Sequence, residues 1–169
     1  MPQQPPDDTQ PKDNGKAKLA ALLGTAGAGL LVAVVSQFEG KRNDPYQDIV
    51  GVWSVCYGET EGQMKHYTDD ECRDKLARAL VRYAEPVGEC ADLQGHPNQL
   101  VAASSLAYNI GAANFCHSTA AQKFRRHDYK GGCKAMLSWD RAGGRVVKGL
   151  TNRRLQEYKI CMTGLDHAK

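Results

Sequence analysis

The chain has 169 residues, of which 41% are hydrophobic and 24% are charged. This length allows one domain with a substantial core, and the composition is that of a soluble globular protein, which excludes a chain without packed structure. The net charge of +3 permits attraction to an anionic polymer without requiring one, and we expect no nucleic-acid partner.

Residues 1–18 are rich in Pro, Gln, Asp and Lys and show no apolar period, so we predict a disordered tail. Residues 19–38 contain no charged side chain, and twenty such residues are close to the length of a helix that spans a bilayer. Their make-up is unusual, because five alanines and the glycines at 24, 27 and 29 dilute the Leu and Val residues. Lipid would hold such a segment only weakly.

Three interpretations of residues 19–38 stay open. The first is a membrane anchor, in which Lys16 and Lys18 would keep the N-terminus in the cytoplasm. The second is a cleaved signal peptide, which is disfavoured by the long polar lead and by the lack of a small-x-small site before Gln37. The third is a buried core helix of the domain that follows.

Residues 39–169 are predicted to form one α+β domain in which helices outnumber strands and the strands come early. Residues 46–58 carry β-branched and aromatic residues around Gly51, which predicts a short β-hairpin. Thr68 and Glu71 have the spacing of a capping box, and apolar residues then repeat at helical spacing up to about Pro86.

The second half of the chain is predicted to be helical. Pro97 can open a helix that is nearly all apolar or small, which we expect to be central. Ser118 and Thr151 are predicted N-caps of two later helices, and Gly164 would end the last one.

Glu39 and Asp48 are a candidate pair of catalytic carboxyl groups. Cleavage of a glycosidic bond needs one protonated carboxyl, and a second carboxylate that stabilises the transition state or activates water. Glu39 follows the apolar segment, where burial favours a protonated carboxyl, whereas Asp48 lies in a polar hairpin, where the ionised form is favoured. Taken alone, however, such a pair is more often two solvated surface groups.

The pair does not stand alone. Glu39, eight residues, Asp48, five residues and Ser54 resemble the catalytic segment of the phage-type lysozymes, or endolysins, in which a Thr follows the Asp at this spacing. Ser54 keeps the hydroxyl of that Thr. In "AYNIGAANF", residues 107–115, Asn109 matches a substrate-facing position of the family's cleft-closing helix. In "GLTNRRLQEYKICMTG", Arg153 matches the arginine that pairs with the catalytic glutamate.

The resemblance covers about residues 38–165 and implies a mostly helical, lysozyme-like domain with a small N-terminal β-hairpin subdomain, preceded by an apolar helix. It implies a monomeric glycoside hydrolase of the inverting type that cleaves the N-acetylmuramic acid to N-acetylglucosamine bond of peptidoglycan and lyses the host cell. Glu39 would be the general acid, while Asp48 and Ser54 would position the attacking water.

Two other functions are alternatives to this one. A non-catalytic, membrane-anchored peptidoglycan-binding protein on the same fold would be expected to lack Glu39 or Asp48, and both are present. A lytic transglycosylase needs the glutamate without an obligatory aspartate, so the presence of Asp48 argues mildly against it.

The weakly apolar segment before Glu39 further resembles the signal-anchor-release endolysins. This subgroup implies export by the host Sec machinery, a single-pass inactive form in the host inner membrane with a cytoplasmic N-terminus, and later release into the periplasm. Some members block a catalytic cysteine with a cysteine in the anchor. Residues 19–38 contain no cysteine, so we expect Cys56 to be disulfide-bonded.

Six cysteines are spread singly along the chain, and their even number favours disulfides in an oxidising compartment. No Cys-x-x-Cys pair or zinc spacing occurs, so we expect neither a metal site nor a cofactor. Spacing alone leaves many pairings open. As a hypothesis, the predicted helices place Cys90 near Cys116 and Cys133 near Cys161, which leaves Cys56 with Cys72.

Overall fold

A computed structural model describes residues 15–165 of the chain, and residues 1–14 of the predicted tail lie outside this range. The described part is mostly helical with two small antiparallel hairpins, so the predicted fold class is confirmed. The elements in chain order are α1 (Gly15–Phe38), β1 (Arg42–Gln47), β2 (Trp53–Cys56), α2 (Asp69–Ala91), α3 (Pro97–Ile110), α4 (Ala112–Cys116), α5 (Thr119–Arg125), α6 (Tyr129–Met136), β3 (Arg141–Ala142), β4 (Arg145–Val146) and α7 (Lys148–Met162).

α1 begins at Gly15, before the predicted apolar segment, and packs against α2 and α3. Its buried face includes Leu19, Leu31 and Val35, each 0% exposed. Gly24 interrupts the helix with φ 73° and ψ 161°, a conformation that is almost restricted to glycine. The interruption divides α1 into two helical pieces.

α1 is also long and apolar enough to cross a membrane, with a mean hydropathy of 2.1. In the folded domain, however, one side of it completes the core while the other side carries exposed small residues, among them Ala21, Gly29 and Ala33. The structure therefore shows α1 in the role of a core helix, although its composition is equally that of a membrane-spanning segment.

The early hairpin is present where the sequence predicts it, and it starts somewhat earlier, at Arg42. β1 and β2 pair antiparallel, with Tyr46 opposite Ser54. α2 follows with the predicted capping box, in which Thr68 N–H donates to Glu71 Oε2 at 2.7 Å and Glu71 N–H donates to Thr68 Oγ1 at 3.3 Å.

α2 does not end near Pro86 as predicted, but continues to Ala91. The turn beyond the proline buries Val87 and Ala91, both 0% exposed, and this packing outweighs the backbone hydrogen bond that a proline removes. The helix ends at Asp92, which adopts the left-handed conformation with φ 53°.

α3 is the central helix, as predicted, and it contacts α1, α2 and α7. Ser118 caps α5 through a 3.2 Å bond from Ala121 N–H, also as predicted. Thr151 is not an N-cap, because α7 starts at Lys148 and the Thr151 hydroxyl donates to Val147 O from within the first turn. The unpredicted β3–β4 hairpin turns at Gly143 and Gly144 and leads directly into α7.

Three disulfides join the elements, and all three match the hypothesised pairing. Cys56–Cys72 connects β2 to α2, Cys90–Cys116 connects α2 to α4, and Cys133–Cys161 connects α6 to α7. They tie the hairpin and the helices of the C-terminal half to the core helices.

Candidate active site

Glu39 is the residue after α1, and its position depends on that helix. Its backbone N–H continues the helical pattern by donating to Val35 O at 3.0 Å. Its side chain is 28% exposed, and Oε1 accepts a hydrogen bond of 2.9 Å from Arg153 Nη1 on α7. The ion pair implied by the resemblance is therefore present in the structure.

Arg153 is held from several sides, with a side chain that is only 5% exposed. Nη2 donates to Ser105 O on α3 at 3.1 Å, and Nε donates to Glu157 Oε1 at 3.2 Å. The guanidinium carbon also lies 4.8 Å from the ring centroid of Phe38, a cation–π contact. These contacts fix the guanidinium against the Glu39 carboxylate.

Asp48 lies in the turn that joins β1 to β2. Its Oδ1 accepts backbone N–H bonds from Val50 and Val52, each at 2.9 Å. Among residues 15–165, no hydrogen bond or ion pair occupies its second oxygen or joins it to Glu39. One carboxylate oxygen thus anchors the turn while the other remains available.

Ser54 lies on β2, where it is 4% exposed. Trp53, beside it, is 52% exposed, although core packing is the usual environment of a tryptophan. The hairpin thus carries Asp48, Ser54 and an exposed aromatic ring on one short unit.

Asn109 lies on the exposed side near the end of α3. Its Oδ1 accepts a 2.9 Å hydrogen bond from Arg154 Nη2. Arg154 directly follows Arg153 on α7. Adjacent arginines of α7 therefore contact Glu39 and Asn109 respectively.

A polar cavity of about 740 Å³ lies between the segment after β2 and α2, and Tyr108 and Glu59 are in its wall. Burial raises the pKa of the Glu59 carboxyl, although Tyr57 N–H donates to its Oε2 at 2.9 Å. Burial also raises the pKa of Tyr108, and the charges of Glu59 and Glu39 act in the same direction. Tyr108 therefore stays protonated and can donate a hydrogen bond.

Sequence reasoning missed Glu59, Ser105 and Glu157. Glu157 carried a usable signal, because it follows Arg153 by four residues and Arg154 by three, which places all three on neighbouring positions of one helix surface. Ser105 and Glu59 reach their places through tertiary packing, for which the local sequence carries no signal. Within residues 15–165, no group of three His, Cys, Asp or Glu side chains is arranged to hold a metal ion.

Comparisons with known proteins identify the family and match the fold. The Phage lysozyme family model matches residues 36–157. The SAR-endolysin of Enterobacteria phage P21 is 38% identical over 88% of this chain and 95% of its own length. The active form of the P1 phage endolysin Lyz superposes with a TM-score of 0.70 at 21% identity, covering 92% of this chain and 97% of that one.

A third similar protein is the muramidase domain of SpmX from Asticaccaulis excentricus. It superposes with a TM-score of 0.69 at 25% identity and covers 83% of this chain and 97% of that one. The family match spans most of the chain and includes the segment with Glu39, Asp48 and Ser54, as well as Arg153. The chain therefore belongs to the phage lysozyme family and is a glycoside hydrolase of the lysozyme type.

Proposed function

We propose that the chain is a muramidase that hydrolyses the bond between N-acetylmuramic acid and N-acetylglucosamine in peptidoglycan. The observation that carries the proposal is the pair of carboxyl groups with different protein partners. Glu39 faces a single buried guanidinium, whereas Asp48 is oriented by two backbone N–H groups. This asymmetry suits one acid and one carboxylate that acts on water.

Glu39 is the general acid in this proposal. Arg153 contacts Oε1, and among the described residues Oε2 accepts no hydrogen bond, so Oε2 is free to carry the proton toward the glycosidic oxygen. After the proton has left, the guanidinium stabilises the carboxylate that forms. Arg153 therefore orients the acid before the transfer and favours the product state of the transfer.

Asp48 and Ser54 act on the opposite side of the bond. The free oxygen of Asp48 accepts a proton from the attacking water, and the Ser54 hydroxyl orients that water. Attack from the side opposite the leaving group gives inversion at the anomeric carbon. Asn109, held by Arg154, contacts the substrate at the end of α3.

We further propose that α1 anchors an inactive form in the host inner membrane, after Sec-dependent export with the N-terminus in the cytoplasm, and that release into the periplasm gives a monomeric enzyme that lyses the cell. The names of the relatives and the mean hydropathy of 2.1 support this proposal. Leu19 and Leu31 cannot lie in lipid and in the core at once, and Glu39 directly follows α1. Activity therefore requires α1 to leave the bilayer.

The function is tested with Glu39→Gln, because Gln has nearly the same shape, can still accept a bond from Arg153 and cannot donate the acid proton. Turbidity of outer-membrane-permeabilised Gram-negative cells should fall with the wild type and stay constant with the variant. Glu89→Gln, which changes an exposed carboxylate on α2, is the matched control and should lyse normally. Lysis by Glu39→Gln above a few per cent of wild type rejects Glu39 as the acid.

A further inference from the structure

The buried face of α7 contains a carboxylate that the proposed hydrolysis does not use. Glu157 is 0% exposed. Its Oε1 accepts hydrogen bonds from Arg153 Nε at 3.2 Å and from the Ser105 hydroxyl at 2.7 Å. Its Oε2 lies 3.0 Å from Arg154 Nε. One buried carboxylate therefore holds two buried guanidiniums.

Both guanidiniums reach residues of the candidate site. Arg153 Nη1 lies 2.9 Å from Glu39 Oε1, and Arg154 Nη2 lies 2.9 Å from Asn109 Oδ1. Glu157 is thus the centre of a continuous polar chain with Glu39 at one end and Asn109 at the other. Without it, nothing else on α7 that the structure describes would hold the two arginines in their relative positions.

We propose that Glu157 is a positioning residue, which holds Arg153 against Glu39 and so influences the alkaline limb of the pH–activity profile. This inference rests on the proposed role of Glu39 as general acid. Glu157 touches no reacting atom, and it acts through the arginine that does contact the acid.

The charges explain the direction of the effect. The groups facing Glu39 are Arg153 from α7, with Arg154 and Glu157 behind it, and Tyr108 from α3. With Glu39 ionised, the two carboxylates and two guanidiniums sum to zero. Without the Glu157 charge, Arg153 is free to pair with Glu39 alone and the surroundings become more positive. Added positive charge beside an acid favours its ionised form, so the alkaline limb of the pH–activity profile is expected at lower pH.

The charged state of the cluster near neutral pH follows from its contacts. Burial raises the pKa of Glu157, but the two guanidiniums and the Ser105 hydroxyl favour its ionised form. Burial lowers the pKa of Arg154 to about 10, so this side chain remains charged at neutral pH. Both oxygens of Glu157 face guanidinium groups, which is the arrangement that an ionised carboxylate needs.

The test is the pH dependence of kcat/KM on soluble peptidoglycan fragments, measured with the full-length chain from the soluble fraction. Glu157→Gln should move the alkaline limb toward lower pH by roughly 0.5 to 1 unit. Glu157→Asp keeps the charge and should restore most of the wild-type profile. Glu89→Gln removes an exposed carboxylate from α2 and should leave the profile unchanged.

Arg154→Met provides a second test, because Gln at position 157 leaves two buried guanidiniums and the variant can fail to fold. In Arg154→Met, Glu157 keeps Arg153 and Ser105 as partners. Arg154 then no longer offsets the negative charge of Glu157, so the surroundings of Glu39 become more negative. The alkaline limb of the pH profile should therefore move toward higher pH. KM should rise as well, since Asn109 loses its partner. A purely structural role of Glu157 would not shift the alkaline limbs of Glu157→Gln and Arg154→Met in opposite directions.

The proposal is overturned if the alkaline limb stays at the wild-type pH in folded Glu157→Gln or in Arg154→Met. Circular dichroism identifies the folded variants. If the wild type itself does not hydrolyse the glycan, the proposed function has failed. If the wild type hydrolyses it and the limbs do not move, only the role of Glu157 has failed.

Discussion

Asp48 uses one carboxylate oxygen to hold its own turn, through the N–H groups of Val50 and Val52. This arrangement places the second oxygen with a precision that a mobile surface carboxylate would lack, and such pre-organisation lowers the cost of reaching the transition state. In the proposed mechanism, the turn therefore both folds the hairpin and aims the carboxylate that acts on water.

Ser54 is the second residue on the hairpin whose role can be tested. Ser54→Ala should lower kcat by roughly 10²-fold, because the attacking water loses a group that orients it. Ser54→Thr keeps the hydroxyl and should stay within a few-fold of wild type. Initial rates on peptidoglycan measure both variants. Ser138→Ala is the control, because the Ser138 hydroxyl is exposed and donates to Ala135 O within its own turn. Equal activity of Ser54→Ala and wild type would contradict the assignment.

Glu59 predicts a pH dependence of stability. Its Oε1 is buried and accepts no hydrogen bond from the described residues, and burial raises its pKa above 4.5. The folded state then binds the proton more tightly than the unfolded state, so the stabilisation is complete below that value and is lost as the pH rises through the raised pKa. Glu59→Gln avoids this loss.

The urea midpoint of Glu59→Gln relative to wild type should therefore rise between about pH 4 and about pH 7.5. Glu61→Gln is the matched control, because its carboxylate is exposed and pairs with Arg82. A difference that is constant over this range would show that Glu59 is not desolvated as the structure indicates.

The sequence could predict the ends of the Glu39–Arg153 contact but not its surroundings. Both residues lie in motifs with a recognisable spacing, which makes them visible without coordinates. The contacts of Arg153 with Ser105 O and Phe38 depend on how α3, α7 and the end of α1 meet. Such contacts between distant segments leave no local pattern.

At the scale of the elements, the sequence predicted those helix caps correctly whose partners lie close together in the chain. The Thr68 capping box and the Ser118 cap involve residues three apart, so the sequence contains the whole interaction. The predicted N-cap at Thr151 is wrong because the β3–β4 hairpin leads into α7 earlier, so that the helix already begins at Lys148. α2 continues beyond Pro86 because the buried side chains of Val87 and Ala91 stabilise its last turn.

α1 allows a sharper test of anchoring than substitution of all its glycines. Leu at Gly24 would be strained at φ 73°, and a Cβ at Gly27 would lie 3.1 Å from Leu23 Cβ, so both changes would also damage the folded enzyme. A Cβ at Gly29 meets open space. Gly29→Leu thus adds apolar area for lipid while leaving the folded packing intact.

Gly29→Leu should stabilise the membrane-bound form by roughly 1.5 to 3 kcal/mol and delay both release and lysis. Gly29→Ser, at the same open position, should release at the normal time. Cell fractionation with mass spectrometry follows the change. If Gly29→Leu is soluble and lytic on schedule, α1 is not an anchor, and if the soluble wild type lacks residues 1–37, a peptidase releases it.

For the whole molecule, one disulfide ties the hairpin to α2, and the core packs α3 against α7, which carry Asn109 and Arg153 respectively. The pairing hypothesis held because neighbouring helices bring their cysteines together, whereas cysteine spacing alone left it open. The sequence could not decide between a core helix and an anchor for residues 19–38, since burial in protein and burial in lipid require the same apolar side chains. The fold shows this segment buried in protein, and its earlier burial in lipid is the proposal that Gly29→Leu tests.

The proposed reaction is hydrolysis of the N-acetylmuramic acid to N-acetylglucosamine bond with Glu39 as acid and water as nucleophile. Digestion of purified peptidoglycan in ¹⁸O-labelled water, followed by mass spectrometry and NMR of the fragments, tests it most directly. The wild type should give reducing muramic acid ends that carry one ¹⁸O and appear first as the α-anomer, and Glu39→Gln should give none. Anhydromuramic ends, reducing N-acetylglucosamine ends or an initial β-anomer would contradict the account.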